Sequence, residues 1–323
     1  MMNKHLLLRV AAASLFVAST PLLASDRAVS PLLRGTRSDG SRIELKAVPE
    51  FVERLLVPVV PGAVNTFKID NAKITAVLDS PRGFDVDLHN GGISIDPPAG
   101  DAFGYARVKA GDRELTLTLV TLVPYESVKR GFLVGYRIGE YLAKPLRGMA
   151  SYARPKGFIR MTAANASMWV SDHYRLHDFQ CKLDGKSKFV ILRTEALMKL
   201  ELLQHELSSK YGLKFARFTI MSGYRTPYYN SIIGNETSYS RHLYGDAMDI
   251  FIDTRHRGTM DDLNGDGRVD INDAKFLLRV AEVLDRSTMW GWLKGGAGVY
   301  HANAAHGPYL HVDARGYIAR WGV

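Results

Sequence analysis

Two short segments of this 323-residue chain hold the residue types that a divalent metal needs. In Ser240-Arg241-His242-Leu243-Tyr244-Gly245-Asp246-Ala247-Met248-Asp249-Ile250, a histidine and an aspartate stand seven residues apart with a turn-permitting glycine between them. Asp249 leads into the apolar run Ile250-Phe251-Ile252, and a carboxylate at the start of a buried strand is costly unless paired or metal-bound. The other segment, Tyr309-Leu310-His311-Val312-Asp313, alternates ligand types with strand residues, so His311 and Asp313 share a face. Two imidazoles and one carboxylate, with a fourth position left to water, make a catalytic zinc set. Such donors suit Zn²⁺ better than Ca²⁺ or Mg²⁺. Taken singly, His242 also fits an ordinary surface histidine, and Asp313 fits a turn cap or an orienting partner. The combination carries the reading.

The pattern S-x-H-x-x-G-x-A-x-D followed by a strand bearing H-x-D resembles the M15 peptidases, with Ser240, His242, Gly245, Ala247 and Asp249 all matching. Ser222-Gly223-Tyr224-Arg225-Thr226 is similar to the family's S-G-Y-R-[ST] loop, and Leu176–Lys182 to the lead-in of its bacterial members. The closing stretch, Gly296–Trp321, resembles the endopeptidase-like branch. The likeness spans roughly residues 170–323. It implies an α+β fold of the hedgehog/D-Ala-D-Ala carboxypeptidase type, with zinc held by His242, Asp249 and His311. It also implies a catalytic Arg225 facing the substrate, its guanidinium holding a carboxylate or steadying the developing oxyanion, and Ser240 hydrogen-bonding substrate or metal shell. The implied reaction is hydrolysis of D-amino-acid-containing bonds in peptidoglycan stem peptides or cross-bridges, by carboxypeptidase or endopeptidase action.

One departure stands out. Where many members carry the acidic general base, this chain has Pro308, three residues before His311. His306 and Asp313 are the expected replacements, ahead of His301, with Asp313 alternatively orienting a ligand imidazole. The gap also admits a module on the same fold that binds wall peptides without cutting them.

A metal site of another kind is written in Asp262–Asp273. Asp262, Asn264, Asp266, Asp270 and Asp273 fall at the oxygen-ligand positions of a twelve-residue calcium loop, and Arg268 offers its backbone carbonyl. Gly267 takes the sharp turn and Val269 points inward. Lying between Asp249 and His311, the loop is expected to hold a structural Ca²⁺ that stiffens an insertion bordering the cleft.

The elements that must position these groups are legible in outline. Thr194 is expected to cap a helix whose Leu197, Leu200, Leu203, Leu207 and Tyr211 share a face, with Gly212 as its stop. A strand over 215–221 then leads into the Ser222–Thr226 loop, and a helix with Phe276, Leu277, Val280 and Leu284 on one face follows the calcium loop. Further upstream, residues 41–124 alternate like Leu115-Thr116-Leu117-Thr118-Leu119, and read as a small β-sandwich-like domain. Residues 125–169 form a connector, partly helical and punctuated by Gly131, Gly135 and Gly139, and 170–323 form the peptidase domain.

The start of the chain speaks to location. Lys4, His5 and Arg9 precede the apolar run Val10–Leu23, too short for a comfortable span, and the pattern predicts a signal peptide over 1–24 and a flexible lead-in over 25–40. An uncleaved anchor is the alternative. Cleavage leaves a mature chain without a transmembrane span, exported to a periplasm or secreted, with a charge of about +7 rather than +9. The only cysteine, Cys181, excludes internal disulfides and reads as a small buried residue rather than a nucleophile. Basic residues are scattered rather than interleaved with aromatics, which argues against nucleic acid as a partner.

Overall fold

The computed structural model describes residues 39–235 and 237–322. The expected signal segment and nearly all of the lead-in lie outside the described residues. Strands β1 (Asp39–Leu45) to β8 (Arg113–Pro124) come first: β2 (Arg54–Val59), β3 (Val64–Ile69), β4 (Ile74–Asp79), β5 (Asp85–His89), β6 (Gly92–Asp96) and β7 (Phe103–Ala110) lie between them. Alternation drives them. On β8, Leu115, Leu117 and Leu119 are all inside, each worth about 2 kcal/mol when removed from water.

These strands make two sheets. One has the order β1-β3-β6-β5, and in the other β8 lies between β7 and β2, with β4 beyond β7. Two of the pairings, β1 with β3 and β2 with β8, are parallel. The second sheet continues past residue 124: β11 (Gly157–Met161) pairs with β8, and β12 (Lys188–Val190) pairs with β11.

Between them, the glycine-rich connector contains no α-helix. It folds instead into a minimal hairpin of β9 (Phe132–Leu133) and β10 (Tyr136–Arg137). Gly131, Gly135 and Gly139 all take positive φ, which a right-handed helix does not tolerate. At Gly139 a side chain would meet the backbone nitrogen of Tyr228 at 2.6 Å, so the connector packs closely there.

Helix α1 (Thr194–Ser209) differs from expectation in its start and its surroundings. Arg193 holds the cap position, and the Thr194 hydroxyl donates to the carbonyl of Leu56 on β2 at 2.6 Å. The helix is enclosed on nearly every side, with Lys199, Glu201 and Gln204 buried beside the leucines, while Tyr211 lies past its end and is exposed. Strand β13 (Thr219–Ser222), helix α2 (Pro227–Ile232), strand β14 (Ala247–Phe251), helix α3 (Ile271–Asp285) and strands β15 (Gly296–Tyr300), β16 (Tyr309–Asp313) and β17 (Ala319–Trp321) complete the chain. The final sheet has the order β13-β14-β16-β15-β17 and is antiparallel except where β17 joins β15. Helix α3 packs on β15 and β16, and α1 packs on α3. The architecture is mixed α+β, with one continuous apolar core from Leu45 to Val312.

Candidate active site

The final sheet aligns Ser222, Asp249, His311, Gly298 and Trp321 along a single rung. Ser222 on β13 is paired with Asp249 on β14, Asp249 with His311 on β16, His311 with Gly298 on β15, and Gly298 with Trp321 on β17. Gly298 has to lack a side chain, because a Cβ there would lie 2.1 Å from the indole nitrogen of Trp321. The indole can therefore lean across β15 to within 5.1 Å of the His311 ring, centroid to centroid.

His242 arrives from outside the sheet, on a short helical turn, Arg241–Tyr244, that Gly245 ends at φ +70°. A Cβ on Gly245 would strike the carbonyl oxygen of Ile191 at 2.3 Å, so glycine is required on both counts. The turn is held by the buried pair of Arg241 with Asp246. His242 Nδ1 lies 2.6 Å from the carbonyl oxygen of Gly223, which can only accept, so this nitrogen carries the proton. His242 Nε2 is thereby left free to ligate. It lies 3.2 Å from His311 Nδ1 and 3.2 Å from Asp249 Oδ1, while His311 Nδ1 is 2.9 Å from the same carboxylate oxygen.

One ligand atom from each of the three residues lies within 4.8 Å of the others, and all three residues are buried. Two nitrogens and one oxygen, converging from the sheet and a pinned turn, are a donor set suited to a divalent metal such as zinc. Among the described residues this is the one such convergence of histidine, cysteine and acidic side chains. Burial pushes the His242 imidazole toward its neutral, ligating form. Burial also opposes ionisation of Asp249, yet the two imidazoles hold its carboxyl well below the usual range. For His311, burial is outweighed by hydrogen bonds to Asp249 and Asp313, which raise it.

The remaining expected residues divide. Arg225 stands beside the cluster: its backbone nitrogen donates to the His242 carbonyl at 3.1 Å, its Nε donates to Ser222 Oγ at 2.8 Å, and its terminal nitrogen pairs with Asp249. Ser240 lines the same cleft. Asp313, in contrast, lies behind His311, with Oδ2 3.3 Å from His311 Nε2. It accepts from Gly296 N at 2.8 Å and Arg315 Nε at 2.9 Å and is 1% exposed, which fixes it as an orienting partner of the imidazole rather than a base in the cleft. His306 also stands apart. It lines a separate depression with Lys182, Met221 and Thr259, and its ring nitrogens face Gly307 O and Asn303 Nδ2 at 2.8 and 2.9 Å. His301 is exposed and lines neither. The pairing of His306 with Asp313 as general base is not what the geometry brings together.

The cleft measures about 810 Å³. Several of its residues have no role that spacing in the sequence predicts. Tyr300 and Tyr309 are register partners on β15 and β16 and stack at 4.6 Å, and the Trp321 indole donates to Tyr300 OH at 2.8 Å. The cleft is also lined by Arg147, Met149 and Tyr152 from the connector. Tyr152 is joined to Tyr317 by a 2.8 Å hydroxyl pair. Cross-strand register and the return of the connector put these groups there, and neither can be read from spacing.

The loop at 262–273 keeps its oxygens close to its own backbone. Asp262 accepts from Gly265 N and Gly267 N at 2.7 and 2.8 Å, and Asp266 Oδ1 accepts from Arg268 N at 2.9 Å. Asp273, fully buried, accepts from Leu263 N at 2.7 Å and from Asp270 N at 2.9 Å. Asp270 and Asp273 cap α3 reciprocally. The carboxylates of Asp262, Asp266, Asp270 and Asp273 do not draw three ligand oxygens together. Val269 is partly buried against the core, as expected.

Residues 172–264 match the family described as Peptidase M15, a stretch that includes Arg225, Ser240, His242 and Asp249 and ends before His311. No curated protein and no solved structure matches the chain.

Proposed function

We propose that this chain is a zinc-dependent peptidase of the M15 type, with the hedgehog/D-Ala-D-Ala carboxypeptidase-like fold over 170–323, acting on peptide bonds beside D-amino acids in peptidoglycan. The observation that carries the reading is the convergence of His242 Nε2, Asp249 Oδ1 and His311 Nδ1 at the floor of an open cleft. Zinc bound there supplies Lewis acidity to a scissile carbonyl and to an attacking water. The chain's own contribution is positional and electrostatic. The Gly223 carbonyl and the Asp313 carboxylate, accepting from His242 and His311, fix the two imidazole planes. The Arg225 guanidinium, braced by Ser222 and Asp249, is placed to donate to a developing oxyanion. The stacked Tyr300 and Tyr309 rings offer a flat apolar wall to a peptide.

In the same reading the chain is exported through residues 1–24 and works in a periplasm or outside the cell, on stem peptides or cross-bridges. Among the described residues no helix is long and apolar enough to cross a membrane. The calcium assignment at 262–273 rests on the sequence of that loop. The β-rich part, 41–124, is proposed to present the wall polymer to the cleft.

A second reading has a specific observation behind it. Among the described residues lining the cleft, the only carboxylate is Asp249 and the only imidazoles are the two ligands. With Pro308 in place of an acidic residue, a module that holds wall peptides without hydrolysing them remains the alternative. Digestion of purified muropeptides with added zinc, beside a His242→Ala control and read by mass spectrometry, separates the two. Zinc-dependent loss of a terminal D-alanine identifies a carboxypeptidase, and separation of cross-linked dimers identifies an endopeptidase. Retention without cleavage, with one zinc bound, establishes the binding module.

A further inference from the structure

The cleft carries four arginines, Arg147, Arg225, Arg241 and Arg315. Three of them are neutralised by partners within the protein: Arg225 by Asp249, Arg241 by Asp246 and Arg315 by Asp313. Arg147 is the exception. Its side chain is exposed, it lines the cleft, and among the described residues no carboxylate, carbonyl or ring engages its guanidinium.

The backbone beneath it is neither relaxed nor loose. Arg147 sits at φ 50°, ψ 28°, a left-handed conformation rarely taken by a long side chain. Strain of this kind persists where the surroundings over-determine it, and it collects at ligand-binding positions. Here the surroundings are visible. Gly148 N and Met149 N donate to Pro145 and Leu146 carbonyls at 3.1 and 3.0 Å, Arg241 donates to Ser151 O at 2.9 Å, and the Tyr152 hydroxyl meets that of Tyr317. The first two bonds close the turn on itself, and the last two tie the residues that follow it to Arg241 and Tyr317 of the cleft.

We propose that Arg147 is a specificity-determining residue that takes a free carboxylate of a peptide lying in the cleft. A planar guanidinium with no partner among the described residues, on a turn closed by its own hydrogen bonds, is suited to bidentate capture of a carboxylate. The ligand class is thus an anionic peptide, its carboxylate either the C-terminus or an acidic side chain. This deepens the peptidase reading and rests on it only for the assumption that the occupant is a peptide.

The test is calorimetric titration of the full chain, stripped of metal, with two matched probe pairs. One pair is a tripeptide ending in D-alanyl-D-alanine and its C-terminal amide. The other is a peptide amide with an internal glutamate and its glutamine counterpart. An acid form is expected to bind on the order of tenfold tighter than its neutral match, and the pair that shows the difference identifies the source of the carboxylate. Arg147→Asn, which suits left-handed backbone, is expected to bind both members alike, and Arg147→Lys to regain part of the preference. Equal binding of acid and neutral forms by the unmodified chain, or a preference that survives Arg147→Asn, overturns the inference. Hydrolysis with zinc is scored separately. Failure to cleave any probe, with the Arg147-dependent preference intact, removes the peptidase reading and leaves this site standing. Cleavage of acid and amide at equal kcat/KM does the reverse.

Discussion

Lys199 and Asp285 form an ion pair at 2.7 Å in which both side chains are almost wholly buried. The same ammonium donates to the backbone carbonyl of Asp313 at 2.8 Å, and Arg320 reaches the other oxygen of Asp285 at 2.7 Å. Burial lowers the Lys199 pKa while the Asp285 charge opposes the fall. The pair therefore ties α1 and α3 to the strand that carries His311. Lys199→Met leaves Asp285 with Arg320 alone and is expected to cost about 3 kcal/mol, read as a lower urea midpoint. A change under about 0.5 kcal/mol would show that the pair contributes nothing net.

Asp313 orients His311 from behind. Asp313→Asn is expected to weaken zinc binding by roughly tenfold to a hundredfold, measured by competition with a chromophoric chelator, with the melting temperature followed in parallel. An unchanged affinity in a folded variant removes Asp313 from the metal's support.

Stability is expected to depend on pH through His173. Its Nδ1 lies 2.6 Å from the buried carboxylate of Glu201, and that hydrogen bond raises the His173 pKa above its ordinary value, against a smaller opposing effect of burial. A raised folded-state pKa gives stability that is complete below the unfolded value, about 6.5, and is lost as pH rises through the folded one. Melting temperature should fall between mildly acidic and mildly alkaline buffer more steeply in the unmodified chain than in His173→Gln. Parallel slopes would exclude the pair as the cause.

The calcium proposed for residues 262–273 is tested with a chelator. EGTA is expected to lower the melting temperature, with calcium alone restoring it. Unchanged melting, or recovery with magnesium as readily as with calcium, would leave Asp262 and Asp273 as the backbone-capping groups that their hydrogen bonds describe.

What could be read before the fold, and what could not, follows from range. His242, Asp249 and His311 are legible because ligand types recur at strand and turn spacings within short segments. The leucines of α1 and β8 are legible because periodicity is local. His306 misleads because proximity in sequence to His311 says nothing about the course of residues 301–308, which turn the imidazole toward Asn303 and Gly307 instead of the cleft. Thr194 misleads because the helix already includes it: Arg193 takes the cap position, and the Thr194 hydroxyl donates to the Leu56 carbonyl on β2. Trp321, Tyr300 and Arg147 reach the site through pairing and packing across long separations, which no window of sequence contains.

The lining of the cleft also bears on how this protein can be cut and reused. A fragment beginning at residue 170 would keep every metal ligand but lose Arg147, Met149 and Tyr152 from the cleft. It would also strip β12 of its partner strand and Thr194 of the Leu56 carbonyl. The His242, Asp249 and His311 cluster is portable in this architecture, whereas the rest of the cleft is not: a graft or truncation that respects the cluster alone would carry it into a new context without the connector residues that line the cleft beside it.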